Sequence, residues 1–342
     1  MASGPETMVA PMDDPDAGIH SGAGSPALRR STEAIRSGCV IDIAGLPVGL
    51  AADDDVRATA MAALLRGLRP HSGAAVLELS FDLDPPRLPE RAPDGVYDDV
   101  EAWRLPGRLW LRHSSGVVAR ADETEIRLGG GRGDLQYAFR RLFQFLVSHV
   151  LVPHGRFVLH GGAIGLGPGV VLTVGGTGSG KSTLAMAAIA SGRPVLGDDL
   201  TVVRVSATGL EATGIPRPVA VPGDVAPAIE GATPVLADAR ARWELPPERL
   251  TPGWRPLVAI MTMGHNDRSN ATLERLDETT AMRMSMSSFL STFDPTLIRT
   301  FFPVAGTLAR LPAWSFKHGA DPSTRLTAAA RCLDELAAAV QM

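Results

Sequence analysis

The chain has 342 residues, 45% apolar and 20% charged, which is typical of a globular protein with one large domain or two of ordinary size. Its formal net charge of −4 excludes a broad basic surface, so we expect no nucleic-acid partner. Its two cysteines lack metal-ligand spacing and are typical of a reducing compartment. The first residues lack the features of a secretory signal, and no apolar run is long enough to span a bilayer. These observations predict a cytoplasmic protein without membrane contact.

The first part of the chain predicts a tail and a small module. Residues 1–36 are rich in Gly, Pro, Ser, Ala and Asp without an apolar period, which predicts a disordered tail. Residues 37–130 predict a small α+β N-terminal module, in which Pro85–Asp99 is a loop. Its predicted elements are a strand from Cys39, a helix capped within Asp53–Asp55, and strands over Ala75–Leu83, Arg108–Arg112, Gly116–Ala121 and Thr124–Leu128.

Residues 131–342 predict a second domain, which follows a glycine-rich turn over Gly129–Gly133. The pattern predicts a helix after Asp134, strands over Phe157–His160 and Gly169–Val174, a helix over Ser182–Ser191 and a strand over Leu200–Val205. Strand, glycine loop, helix and strand is the order typical of an α/β nucleotide-binding domain. The remaining predicted elements are scaffold: a strand over Leu257–Met263, a methionine-containing stretch over Thr279–Phe293, a strand over Trp314–Phe316 and a helix from Ser323 to Gln341.

The loop between the second strand and its helix carries the clearest chemistry. Gly175, Gly180, Lys181 and Ser182 match the pattern G-x-x-x-x-G-K-[ST], whose glycines let backbone N–H groups approach phosphates. The following helix turns its positive end toward the same anion, the lysine reaches the β- and γ-phosphates, and the serine hydroxyl ligates Mg²⁺. We therefore predict ATP and Mg²⁺ as cofactors, although the loop does not distinguish ATP from GTP. The predicted nucleotide-binding residues of the loop are Gly175, Gly176, Thr177, Gly178, Ser179, Gly180, Lys181, Ser182 and Thr183.

An acidic pair, Asp198 and Asp199, ends the next apolar run seventeen residues after Lys181. Phosphoryl transfer needs a carboxylate that holds the metal and a group that accepts the proton of the attacking hydroxyl. We predict that Asp198 holds Mg²⁺ together with Ser182 and that Asp199 is the base, although the reverse assignment stays open. The lone residues His265 and His318 are predicted to lie in loops without a functional role.

The stretch Phe157–Arg204 resembles the HPr kinase/phosphorylase superfamily, and more closely its divergent HPr-kinase-like members. The resemblance implies an α/β P-loop domain with a mixed sheet. His160, twenty-one residues before Lys181, stands where that family has its active-site histidine, and the acidic pair stands where it has catalytic and metal-associated acids. His160 would orient a carboxylate or stabilise the transferring phosphoryl group. Arg217, in a Pro-Arg-Pro element like that of divergent members, is a predicted phosphate contact.

The resemblance implies a serine/threonine-type kinase that transfers the γ-phosphate of ATP to a hydroxyl of a peptide or small protein. Divergent members are associated with ribosomally made peptide natural products, so a precursor peptide is a candidate substrate. The second glycine- and acid-containing signature of true HPr kinases is missing, which argues against HPr itself. A kinase for an amino acid or sugar, and a nucleotide-binding regulatory protein without phosphotransfer, remain alternatives. HPr kinases form hexamers, so we also expect a homo-oligomer.

Overall fold

The computed structural model describes residues 26–176, 178–221, 233–234, 243–246, 249–266, 270–291, 294–319, 321 and 324–341. The fold is mixed α/β, built on two eight-stranded sheets with helices packed against them. Within these ranges, no helix combines the length and the apolar character that crossing a membrane requires.

The first sheet contains every strand of the N-terminal module. Its strands are β1 (Cys39–Ile43), β2 (Leu46–Ala52), β3 (Leu77–Asp82), β4 (Gly95–Tyr97), β5 (Val100–Leu105), β6 (Arg108–His113), β7 (Val117–Ala121) and β8 (Glu125–Gly130). They lie in the order β1-β2-β3-β8-β7-β6-β5-β4, in which β2, β3 and β8 are parallel neighbours and the other pairs are antiparallel. The predicted loop over Pro85–Asp99 thus contains β4, an edge strand too short to show an alternating pattern.

Two helices of the module precede and follow its first hairpin, α1 (Pro26–Arg36) and α2 (Asp55–Leu65). The prediction of a disordered tail up to residue 36 is wrong from Pro26 onward. Two apolar residues that lie two turns apart anchor this helix: Ile35 is buried and Leu28 packs partly against the same core. The segment is amphipathic but mostly polar, and this polar composition resembles that of a solvated tail. Residues 1–25 lie outside the described residues.

Helix α3 (Leu135–Leu151) joins the module to the second sheet. Asp134 caps it, because the Asp134 side chain accepts a hydrogen bond from the Tyr137 N–H. Its apolar face, which includes Phe139 and Phe143, lies in the core of the first sheet. The same core continues to Val158 of the second sheet. The helix assigned by sequence to the second domain therefore shares its buried face with the first.

The second sheet positions the predicted site. Its strands are β9 (Arg156–Leu166), β10 (Gly169–Val174), β11 (Val195–Gly197), β12 (Leu200–Ser206), β13 (Gly209–Gly214), β17 (Arg255–His265), β18 (Thr272–Arg275) and β19 (Ala313–His318). The sheet is mixed: β9 is antiparallel to β10, β11 and β12, whereas β10, β17 and β19 run parallel. The carboxyl ends of these three parallel strands therefore meet at one edge.

Helices cover both faces of the second sheet. One face packs against α4 (Lys181–Ala190) and α7 (Arg325–Gln341), and the other packs against α5 (Glu278–Ser288) and α6 (Pro295–Ala309). A small third sheet contains β14 (Val219–Val221), β15 (Thr233–Pro234) and β16 (Trp243–Leu245). Helix α6 was not predicted, and the predicted cap Ser323 lies outside the described residues.

Candidate functional site

The glycine loop, residues 175–182, leaves β10 at the edge where the three parallel strands end and enters α4. Gly175, Gly178 and Gly180 have φ values of +153°, +76° and +101°, which side-chain-bearing residues rarely adopt. A Cβ at Gly175 would also lie 3.0 Å from the Met263 carbonyl of β17. The glycines are therefore required by conformation and by close contact with the neighbouring strand. Thr177 lies outside the described residues.

Lys181 is the first residue of α4 and turns back over the loop. Its Nζ donates to the carbonyl oxygens of Gly175 at 2.7 Å and Gly176 at 3.1 Å. The Gly176 carbonyl also accepts a hydrogen bond from the Ser179 N–H. Burial lowers the pKa of Lys181, and the charges of Asp198 and Asp199 oppose that shift. An anion placed in the loop would supply the counter-charge that the buried ammonium lacks.

Ser182, one residue further into α4, contacts the acidic pair. Its hydroxyl donates to Asp198 Oδ2 at 2.7 Å. Burial raises the pKa of Asp198 to about 6, and the charge of Asp199 adds to the rise, while the Ser182 hydrogen bond and the charge of Lys181 oppose it. Asp198 Oδ1 is buried without a hydrogen-bond partner among the described residues. Ser182 therefore holds this carboxylate in place, but its surroundings compensate the negative charge only in part.

Asp199 stands in the opposite electrostatic environment. Its Oδ1 lies 3.1 Å from His160 Nδ1, and its Oδ2 accepts a hydrogen bond from Arg217 Nη1 at 2.9 Å. Burial raises the pKa of Asp199, but the His160 hydrogen bond and the Arg217 charge outweigh it and hold the pKa well below its usual range. Asp199 is therefore a fixed carboxylate anion, and its side chain is 30% exposed.

Backbone pairing brings these groups together. His160 lies on β9 directly opposite Leu200 of β12. The acidic pair occupies the turn between β11 and β12, and the Gly161 N–H donates to the Asp199 carbonyl at 3.0 Å. Both strands pair with β9, so the sheet fixes the turn against His160.

The predicted site residues thus fall into two groups. In the first group, Lys181 and Ser182 of the glycine loop lie beside Asp198, which Ser182 contacts. In the second group, His160 and Arg217 contact Asp199. Arg217 is 4% exposed, and burial lowers its pKa to about 10, with Asp199 opposing the shift. Its described hydrogen bond goes to Asp199, so any phosphate contact would be additional to this pair. Thr183 is buried in the first turn of α4.

Sequence reasoning missed two residues of this region, His265 and His318. They are paired residues at the ends of the parallel strands β17 and β19, not lone loop residues. His265 Nε2 lies 2.7 Å from the Gly178 carbonyl, and His318 is fully buried beneath Gly180. The available signal was that each histidine ends an apolar strand-like run.

The donors present fit a hard divalent cation such as Mg²⁺. Mg²⁺ is commonly held by one or two carboxylates, water and substrate phosphates rather than by a cage of protein ligands. The Ser182 hydroxyl and the partnerless Asp198 Oδ1 supply oxygen ligands of that kind. Across the described residues, no three His, Cys, Asp or Glu side chains converge as a complete protein metal site.

Comparisons with known proteins give little further information. No protein-family model matches the chain, and no curated protein matches it. Among solved structures, the Hpr(Ser) kinase/phosphatase from Coxiella burnetii is similar, with 10% identity and a TM-score of 0.29 over 54% of this chain and 99% of that chain. A likeness this low carries no conclusion about function, which has to come from the site itself.

Proposed function

We propose that this protein is an ATP- and Mg²⁺-dependent phosphotransferase that phosphorylates a hydroxyl group. The observation that carries the proposal is the contact between Ser182 of the glycine loop and Asp198, whose neighbour Asp199 is held as an anion by His160 and Arg217. A loop that only binds nucleotide needs its glycines, Lys181 and the helix end. It does not need a second, oriented carboxylate.

Each group has a role that its environment supports. The loop amides and Lys181 would bind the triphosphate, since the ammonium already lies over the loop. Ser182 and Asp198 would hold Mg²⁺, which supplies charge neutralisation of the phosphate oxygens when bound. Asp199 would orient the acceptor hydroxyl and accept its proton, and His160 would hold Asp199 in place. A weakly basic carboxylate suffices, because phosphoryl transfer depends mainly on positioning and electrostatics.

The acceptor must reach Asp199 from solution. The side chains of His160 and Asp199 are 33% and 30% exposed, so a hydroxyl on a flexible chain can approach this end of the site. We propose a Ser or Thr hydroxyl of a peptide or small protein, with a ribosomal precursor peptide as the first candidate. This part of the proposal draws on the resemblance of Phe157–Arg204, and so does the suggestion that the protein is a homo-oligomer.

The test has a binding arm and a transfer arm. Calorimetric titration measures Mg²⁺–ATP binding to wild type and to Lys181→Met, and we expect binding only by wild type. Mass spectrometry then follows phosphate gain on candidate peptides by wild type, Asp199→Asn and the control Asp334→Asn. Asp334 also pairs with an arginine, Arg193, but its side chain is 70% exposed.

The outcomes separate the alternatives. Phosphate gain with wild type and Asp334→Asn, but not with Asp199→Asn, supports a kinase in which the acidic pair acts. Nucleotide binding with phosphate gain only on free amino acids or sugars would replace the peptide acceptor by a small molecule. Nucleotide binding without transfer to any acceptor would contradict the kinase proposal and favour a regulatory nucleotide-binding protein.

A further inference from the structure

Two histidines lie at the ends of β17 and β19, on one side of β10, whereas His160 lies on β9, on the other side of β10. His265 and His318 are Cα partners in the parallel pair β17–β19, and their ring centroids are 5.5 Å apart with an interplanar angle of 33°. The Phe316 ring packs edge-on against His318 at 4.8 Å. The Asn266 N–H donates to the His318 carbonyl, which keeps the two strand ends in register.

His265 holds one peptide group of the loop. Its Nε2 lies 2.7 Å from the Gly178 carbonyl, and because a carbonyl only accepts, this nitrogen carries the proton. The carbonyl and the next N–H of a planar peptide point in opposite directions. Holding the Gly178 carbonyl on His265 therefore sets the direction of the Ser179 N–H, which donates to the Gly176 carbonyl at 3.2 Å. Gly178 has φ +76°, and a glycine restricts its backbone least, so this peptide gains most from an anchor.

His318 supports the other end of the loop. It is fully buried, and a Cβ on Gly180 would overlap its imidazole ring, so the ring and the Gly180 backbone are in direct contact. Gly180 is the N-cap of α4, in a left-handed conformation with φ +101°. Burial lowers the pKa of His318 to about 4, with the Gly180 backbone opposing the shift, so the ring is neutral at physiological pH.

We infer that His265 and His318 form a positioning pair that sets the glycine loop in its nucleotide-binding conformation, His265 by orienting the Gly178–Ser179 peptide and His318 by supporting Gly180 and the His265 ring. This inference rests on the proposed nucleotide binding and adds to it. Neither histidine is assigned a contact with the nucleotide or with Mg²⁺. Their effect is on the loop, so it is expected in nucleotide affinity rather than in stability.

The test uses the exposed member of the pair, because its replacement leaves the core intact. His265→Leu removes the donor, His265→Gln keeps a donor N–H on a side chain of similar reach, and His71→Leu is the control, an exposed histidine of the N-terminal module. Calorimetry measures the Kd with which each protein binds the Mg²⁺ complex of adenylyl imidodiphosphate, a non-hydrolysable ATP analogue. Thermal unfolding of the nucleotide-free proteins measures stability.

We expect His265→Leu to weaken binding by about threefold to tenfold, the usual worth of one hydrogen bond. His265→Gln and His71→Leu should bind like wild type, and the four unfolding midpoints should coincide. Equal affinity of His265→Leu and wild type would overturn the positioning role while leaving nucleotide binding intact. The role of His265 would be only structural if the unfolding midpoint of His265→Leu fell enough to explain its loss of affinity. The same conclusion would follow if His265→Gln did not restore the affinity. Absence of nucleotide binding by wild type would overturn both the inference and the proposed function.

Discussion

Replacing Asp198 with asparagine should stabilise the nucleotide-free protein while it removes Mg²⁺-dependent nucleotide binding. The pKa of Asp198 rises from an ordinary 3.8 to about 6 because the carboxyl is buried, so the folded state disfavours the charged form. At pH 8 both states are ionised, and a shift of this size corresponds to about 3 kcal/mol of lost stability. Asparagine carries no charge, and its amide oxygen can still accept the Ser182 hydrogen bond.

The pH dependence has a definite sign. Because the folded-state pKa is the higher one, the cost of Asp198 is absent below about pH 4 and grows as the pH rises through the folded pKa. The gain in the free energy of unfolding for Asp198→Asn should therefore be about 1.5 kcal/mol at pH 5 and about 3 kcal/mol at pH 8. Urea denaturation in chelator, followed by tryptophan fluorescence, measures it at both pH values. A mutant that is less stable than wild type at pH 8, or equally stabilised at pH 5 and pH 8, would refute this reasoning.

Two further substitutions test the other half of the site and the loop. Asp199→Asn should lower the free energy of unfolding by about 2 kcal/mol at pH 7, because it leaves the buried Arg217 without a full counter-charge. The Asp199 side chain is partly exposed, so the loss should be smaller than that of a fully buried pair. Since the Asp199 pKa is lowered, this difference should shrink as the pH falls below about 4, as denaturation at acid pH would show. Gly180→Ala should lower the thermal midpoint more than Gly192→Ala does, and it should abolish nucleotide binding. Both glycines have positive φ, so alanine is strained at either position. Only at Gly180, however, would the added Cβ overlap another side chain, the His318 ring. Equal midpoints for the two alanine variants would contradict the close contact beneath the loop.

The elements around the glycine loop could be predicted because their signals are local. The strand over Gly169–Val174 and the strand over Leu200–Val205 are confirmed with nearly the predicted bounds. The helix after the loop is also confirmed, starting at Lys181 rather than Ser182. The mixed character of the sheet is confirmed as well. A glycine with positive φ, an N-terminal helical turn and an apolar strand each depend on a few neighbouring residues.

What the sequence did not reveal depends on pairing between distant strands. His265 and His318 are fifty-three residues apart, and only the parallel alignment of β17 with β19 makes them neighbours. Arg217 was predicted as a phosphate contact from its surroundings in the sequence, whereas in the fold it pairs with Asp199. Helix α1 was missed because its mostly polar composition resembles that of a solvated tail, although its apolar side chains lie on one face and pack against distant residues.

The two adjacent carboxylates owe their different states to the strand turn that carries them. Within the turn between β11 and β12, Asp198 contacts Ser182 of α4, whereas Asp199 contacts His160 of β9 and the buried Arg217. On one side burial outweighs the Ser182 hydrogen bond and raises the pKa of Asp198, and on the other the His160 hydrogen bond and the Arg217 charge lower the pKa of Asp199. An uncompensated buried carboxylate lowers stability unless something positive binds it, whereas a compensated one stays charged without a ligand. This asymmetry is the reason to assign the cation to Asp198 and the acceptor hydroxyl to Asp199, rather than the reverse.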